Sequence, residues 1–191
     1  MDDLIVIDDF FVKYHQKEIE TFYNIGKDVC WTYVKSADCE NQVKKFQEND
    51  NSVVAYDQFI RKLDNKHENY WHNIIKNNIK KHFQLDAKEI MRLRMVFSIP
   101  RILVPKDSYG TPHVDYPQPH YTLIYYVNNS LCKTIFFNEL YNGKDDHSKK
   151  TIAAKVQPKQ GRAVLFNGLR YHTVEAYNET NRLLLNVNFT V

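Results

Sequence analysis

The chain has 191 residues, 43% of them hydrophobic and 14% aromatic, which suffices for one domain with a sizeable core. Five glycines rule out a collagen-like or long low-complexity chain, and a formal charge of +3 offers no positive case for nucleic-acid binding, where a strong basic stripe is expected. The cysteines, Cys30, Cys39 and Cys132, are odd in number and lack C-x-x-C spacing. Neither a disulfide framework nor a zinc knuckle is indicated, and a reducing, cytoplasmic setting is expected. The acidic start, Met1-Asp2-Asp3-Leu4, reads as no signal peptide, and no apolar stretch is long enough to span a membrane. Asn128-Asn129-Ser130 and Asn178-Glu179-Thr180 match the glycosylation pattern, which is accidental without a secretion signal.

In chain order, Leu4-Ile5-Val6-Ile7 suits a buried strand. Asp8 or Asp9 caps a helix starting near Phe10, with Ile19, Phe22, Tyr23 and Ile25 as its apolar stripe. Cys30 to Val34 suits a second strand, and residues 36–51 read as a polar loop. From Ser52 to Phe83 the spacing becomes helical. Val53, Tyr56, Phe59, Ile60 and Leu63 predict one helix, and Tyr70, Trp71, Ile74, Ile75, Ile79 and Phe83 a second, separated by the polar stretch Asp64 to His67.

After Glu89 the pattern turns to strands. Met91 to Ile99 alternates, and a loop with Pro100, Pro105, Gly110 and Pro112 follows. Tyr121 to Val127 and Thr134 to Phe137 are rich in β-formers, and Tyr141 to Lys150 is a polar connection. Pro158-Lys159-Gln160-Gly161 is a turn feeding the strand Ala163 to Phe166, and Arg182 to Val191 is the last strand. The expectation is an α+β fold, residues 1–90 carrying a strand and supporting helices and 91–191 an antiparallel sandwich or barrel. No internal repeat or linker divides the chain.

His113-Val114-Asp115 reads H-x-D, and on an extended backbone that spacing points both side chains the same way. A second histidine, His172, follows the strand ending at Phe166, and Arg182 comes ten residues later. Two imidazoles and one carboxylate suit a non-haem Fe(II) site with open positions. An arginine nearby suits a carboxylate cosubstrate, gripped by the planar guanidinium fork. An H-x-D alone occurs by chance in many proteins. His120 competes with His172 as the second imidazole, and Arg182 by itself reads equally as a salt-bridge partner. Tyr116, after the aspartate, is either a substrate contact or a surface aromatic. Arg92 and Arg94 alternate along a strand, where such residues are more often solvated than turned into a pocket.

The order of H-x-D, β-run, P-x-x-G turn, strand, histidine and arginine resembles the 2-oxoglutarate- and Fe(II)-dependent dioxygenases, especially their prolyl-4-hydroxylase-like branch. The resemblance covers residues 91–191 well and the first half more loosely. Thr122-Leu123-Ile124-Tyr125-Tyr126-Val127-Asn128, Thr134-Ile135-Phe136 and Pro158 to Phe166 carry it. It implies a double-stranded β-helix of the jelly-roll, cupin-like kind with an N-terminal helical layer on the sheet. It implies Fe(II) on His113, Asp115 and His172, and the distal carboxylate of 2-oxoglutarate on Arg182, with Tyr126 and Thr134 lining the same pocket. O₂ would be the second cosubstrate and ascorbate an accessory reductant. The substrate would be a small molecule or a protein side chain, with hydroxylation as the outcome. Two departures stand out. Leu131-Cys132 occupies the place of the branch's paired glycines, and Asn188 stands where the nucleic-acid demethylase branch has a second arginine. A non-catalytic β-sandwich binding module with a vestigial metal site is the alternative from another class.

Overall fold

A computed structural model describes residues 4–24, 31–34, 44–54, 58–61, 65–99, 103–144, 146–176 and 180–191. Twelve named elements follow one another: β1 (Ile5–Ile7), α1 (Lys13–Asn24), β2 (Thr32–Val34), β3 (Gln58–Arg61), α2 (Asn65–Phe83), β4 (Glu89–Ser98), β5 (Tyr121–Tyr126), β6 (Thr134–Leu140), β7 (Ile152–Val156), β8 (Ala163–Asn167), β9 (Arg170–Val174) and β10 (Arg182–Thr190). Seven strands form a major sheet in the order β1-β8-β5-β10-β4-β3-β2, and three form a minor sheet in the order β7-β6-β9. Every paired strand in both sheets is antiparallel.

The sheets close on one another through a shared core. Val96, Ile124, Val164 and Leu184 of the major sheet pack with Phe136 and Val156 of the minor one. The opposite face of the major sheet is also dry. Leu123, Tyr125, Leu185 and Val187 lie in one core with Phe11 and Ile19, and with Trp71, Ile75 and Ile79 of α2. Strands β5 and β10 are therefore buried on both faces, with the polar residues of β10 confined to one of them.

Several expectations from the sequence shift here. α1 begins at Lys13, not near Phe10. Asp9 takes a left-handed φ of 52° and its carboxylate accepts from Lys13 Nζ at 2.5 Å. This turn frees Phe10 and Phe11 to enter the core as 0% and 1% exposed side chains instead of starting a helix. The run from Ser52 does not form a first helix: Gln58–Arg61 is strand β3, and Val53 bridges Tyr109. Apolar runs this short satisfy either periodicity, and pairing with β2 and β4 settles the choice. The predicted loop 36–51 contains a helical turn at 44–47 that buries Phe46. β1 is an edge strand, with Val6 exposed and its neighbours half-buried. Strands β7 and β9 have no counterpart among the elements expected from the sequence, and His172, expected only to follow the strand ending at Phe166, lies within β9. Tyr56, Leu63, Cys30 and Cys39 lie outside the described residues. Among the described residues no helix is long and apolar enough to cross a membrane.

Candidate metal centre

His113 and His172 meet across the mouth of the sandwich. They form an isolated antiparallel bridge, with His113 N donating to His172 O at 3.1 Å and His172 N to His113 O at 3.0 Å. This backbone exchange joins the H-x-D loop to β9 and sets the two rings 4.7 Å apart. Asp115, two residues on, completes a set whose ligand atoms all lie within 4.8 Å of one another.

Each partner is oriented by a second contact. Nδ1 of His113 lies 2.9 Å from the carbonyl oxygen of Thr111, and Nδ1 of His172 lies 3.2 Å from that of Arg170. A carbonyl only accepts, so the contact selects the Nδ1–H tautomer of each neutral ring and leaves Nε2 as the nitrogen available to a metal. Asp115 Oδ2 accepts from Asn186 Nδ2 at 3.1 Å and Asn188 Nδ2 at 2.9 Å, and lies 4.0 Å from His172 Nε2. Oδ1 faces Arg92 Nη2 at 2.5 Å and Arg94 Nη2 at 3.5 Å.

Electrostatics keep the donors ready. The Asp115 side chain is 2% exposed. Burial opposes its ionisation, yet His172, Arg92, His113 and Arg94 hold the carboxyl well below the usual carboxylate range. Burial, then the neighbouring His113, pushes His172 down to about 3, so its imidazole is neutral at pH 7. A carboxylate and two imidazoles, with His172 buried and His113 open to the mouth of the cavity, fit a divalent transition metal.

Arg182 enters the same cavity, of about 320 Å³, from β10. It is 5% exposed, and its Nη2 donates to Thr134 Oγ1 at 2.6 Å. Tyr126 OH is 2.5 Å from the same hydroxyl, and the guanidinium sits 5.5 Å above the Tyr126 ring. Arg182 Nε is buried without a hydrogen-bond partner among the described residues. A buried cation served by one neutral hydroxyl is poised for an anion.

Cross-strand register explains the grouping. Arg182, Leu184, Asn186 and Asn188 of β10 face Ser98, Val96, Arg94 and Arg92 of β4 in that order, while Leu184, Asn186 and Asn188 face Tyr126, Ile124 and Thr122 of β5. The sequence pairs these residues by parity, and the fold turns that parity inward. Arg92 and Arg94 are not solvated: both line the cavity. From the sequence, Asn188 stands out only for replacing the demethylase branch's second arginine, and neither it nor Asn186 is assigned a place beside the metal-ligand set. Two polar residues in phase with Arg182, on a strand otherwise apolar, were the available signal.

His120 stands apart from the metal set. Its ring packs against Gly168, and its Nδ1 lies 2.7 Å from Gln118 O. Tyr116 does not line the cavity. Its ring lies under Arg92, at 4.8 Å, and edge-on to His120 at 5.7 Å. Cys132 is a free, buried thiol whose Sγ contacts Glu175 O.

No protein-family profile matches the sequence, and no curated protein aligns with it. Solved structures do match in shape. A 2OG-Fe(II) oxygenase family oxidoreductase from Burkholderia pseudomallei superimposes with a TM-score of 0.64 at 12% identity, over 98% of this chain and 84% of that one. A Trichoplax adhaerens prolyl hydroxylase, solved with a hypoxia inducible factor peptide fragment, gives 0.63 at 12% identity, over 99% and 84%. The alpha ketoglutarate dependent epimerase SnoN from nogalamycin biosynthesis gives 0.62 at 10% identity, over 99% and 78%. The chain shares the double-stranded β-helix fold of these oxygenases.

Proposed function

We propose that this chain is an Fe(II)- and 2-oxoglutarate-dependent dioxygenase that hydroxylates a C–H bond of its substrate. One observation carries the reading: His113, Asp115 and His172 converge in a cavity that also receives the buried, under-partnered Arg182. In this reading the three residues hold iron, and Arg182 grips the distal carboxylate of 2-oxoglutarate. Thr134 lines that pocket with Tyr126 behind it. When bound, iron with 2-oxoglutarate and O₂ supplies the oxidising power, as the cosubstrate is converted to succinate and CO₂.

The chain's own residues do the rest. The Thr111 and Arg170 carbonyls face Nδ1 of His113 and His172, which leaves Nε2 as the ligand atom of each neutral ring. Asn186 and Asn188 orient Asp115. Val96, Ile124, Val174 and Leu184 line the cavity and limit water around the reacting groups. We read residues 1–191 as one cytoplasmic catalytic domain, with ascorbate as an accessory reductant.

A peptide side chain and a small molecule both suit the fold: one neighbour holds a peptide fragment, and SnoN was solved with Fe3+, alpha ketoglutarate and nogalamycin RO. Demethylation of nucleic acid is disfavoured. Asn188, at the position of that branch's second arginine, spends its amide on Asp115, Thr122 and Arg92.

The test is iron-dependent formation of succinate from 2-oxoglutarate by the purified protein. His172→Ala should abolish it, whereas His120→Ala should retain most of it. The reverse pattern would move the distal ligand to His120. If the wild type binds no metal and forms no succinate, a non-catalytic sandwich module is the better reading.

A further inference from the structure

Beyond the cosubstrate anchor at Arg182, the cavity holds a second cationic pole. Arg92 and Arg94 project from the inner face of β4, level with Asn188 and Asn186 of β10. Arg182 lies four residues from Asn186 along that strand, a separation of about 13 Å at about 3.3 Å per residue. The guanidinium of Arg94 reaches Asp115, not Arg182. The poles therefore lie at different levels of the cavity, Arg92 and Arg94 at Asp115 and Arg182 at Thr134.

The second pole is short of negative charge. The side chains of Arg92 and Arg94 are only 23% and 17% exposed, and they share one carboxylate oxygen, Asp115 Oδ1. Arg92 Nη2, for all its closeness to that oxygen, makes no well-directed hydrogen bond, and Arg94 Nε has no partner among the described residues. The Asn186 amide is spent on Asp115 Oδ2, which leaves Asn186 Oδ1 buried and unpaired beside them.

Asp115 also has a metal to serve. With a divalent ion and dianionic 2-oxoglutarate in place, three guanidinium groups and the ion face one carboxylate and the cosubstrate. Positive charge is left unmatched, and it lies at the Arg92–Arg94 end. A structural role for these arginines as clamps on Asp115 needs one of them at most, since Asn186 and Asn188 already orient that carboxylate. Two forked donors turned into a small-molecule-sized cavity match an oxyanion's recognition chemistry.

We infer that the oxidised substrate is itself anionic, and that Arg92 and Arg94 bind its carboxylate or phosphate group beside the metal, at a different level of the cavity from the 2-oxoglutarate anchor. This inference rests on the dioxygenase reading for the identity of the metal and of the ligand at Arg182. The anion site itself belongs to the chain and is testable without turnover. It favours a free acid, a phosphorylated compound or an acidic peptide residue over a neutral side chain.

The experiment is calorimetric titration of inorganic phosphate, and separately of acetate, into the full chain without metal, with and without saturating 2-oxoglutarate. The variants are Arg182→Gln and the double change Arg92→Gln/Arg94→Gln. Glutamine keeps an N–H donor for Asp115 while removing the charge. The wild type should bind phosphate at two sites, one lost in Arg182→Gln and the other weakened roughly 10- to 100-fold in the double variant, as for loss of charge-assisted hydrogen bonds. Saturating 2-oxoglutarate should block only the Arg182 site. If 2-oxoglutarate blocks neither site, the cosubstrate assignment fails while the second pole stands. If phosphate and acetate bind the wild type and the double variant alike, or neither binds once Arg182 is neutralised, the pole is a clamp for Asp115 and the inference is wrong. A preference for acetate over phosphate assigns a carboxylate substrate, and the reverse a phosphorylated one. Should the double variant fail to fold, Arg92→Gln and Arg94→Gln are titrated singly against the same criterion.

Discussion

At the scale of single residues, Arg182 and His172 carry the sharpest consequences. Arg182 is buried and hydrogen-bonded to one hydroxyl, so a bound carboxylate there would be largely desolvated. Truncating one side of such a pair costs about 2–5 kcal/mol. At about 1.4 kcal/mol per tenfold, Arg182→Ala should weaken 2-oxoglutarate binding roughly 30- to 4,000-fold while leaving metal binding nearly intact. Arg182→Lys keeps the charge without the fork and should retain part of the affinity. Titration of 2-oxoglutarate into the metal-loaded variants reads both, and wild-type affinity in a folded Arg182→Ala would make the arginine structural. His172 makes a pH prediction. Its folded pKa is depressed to about 3, below the unfolded value near 6.5, so the unfolded chain binds the extra proton between those limits. Stability of the metal-free protein should therefore be complete above about pH 6.5 and fall as pH drops toward 3, by at most about 1.4 kcal/mol per pH unit from this group. Denaturation curves across that window should be flatter in His172→Gln. An unchanged slope would mean the imidazole is protonated in the fold.

At the scale of elements, the tight connection between β8 and β9 decides how His172 reaches the site. Gly168 sits in that turn, and its N–H donates to His120 O at 2.8 Å. A Cβ at Gly168 would lie 2.1 Å from His120 Nε2. The His120 ring is buried, so it has little room to yield. Gly168→Ala should cost about 1–3 kcal/mol through overpacking, and His120→Ala should relieve much of it in the double variant. Urea denaturation of the four proteins measures the coupling, and additive losses would place the strain elsewhere. This role for His120, packing against a glycine turn, was invisible in a sequence where it stood beside the H-x-D motif as a rival ligand. β3 teaches the same lesson from the other direction. Phe59 and Ile60 fit a helical spacing on paper, yet they pair with Phe97 and Val96 of β4.

At the scale of the whole molecule, the metal site sits between two sheets, and the larger sheet is backed by α1 and α2. Trp71 anchors that backing. It is nearly fully buried and meets Phe11 and Phe22 edge-on at 6.0 and 6.4 Å. Trp71→Ala should cost about 3–5 kcal/mol of stability. Because β5 and β10 present their other face to the cavity, the loss should spread to the site only by unfolding. Metal affinity of the folded fraction should then stay at the wild-type value while the denaturation midpoint drops. A midpoint that hardly moves would mean the helices add little to the sheet's stability.

The sequence by itself determined the chemistry available: H-x-D, a later histidine, an arginine in phase with β10, and a strand-rich second half. Those features are local, set by residue type and by the two-residue repeat of an extended chain, and so they survive without a fold. The order of residues and its resemblance favoured His172 over His120, and the tertiary structure brought that histidine to the cluster, since His113 and His172 meet only through a bridge between distant segments. Tertiary structure alone decided which face of β4 and β10 turns inward. Parity groups Arg92 with Arg94 and Arg182 with Asn186 and Asn188 on one face, and Leu183, Leu185, Val187 and Phe189 on the other, but alternation does not say which of two buried faces meets the helices and which the cavity. Only the packing of α1 and α2 against one face leaves the other to present the arginines and the asparagines to Asp115, which the H-x-D loop brings to them.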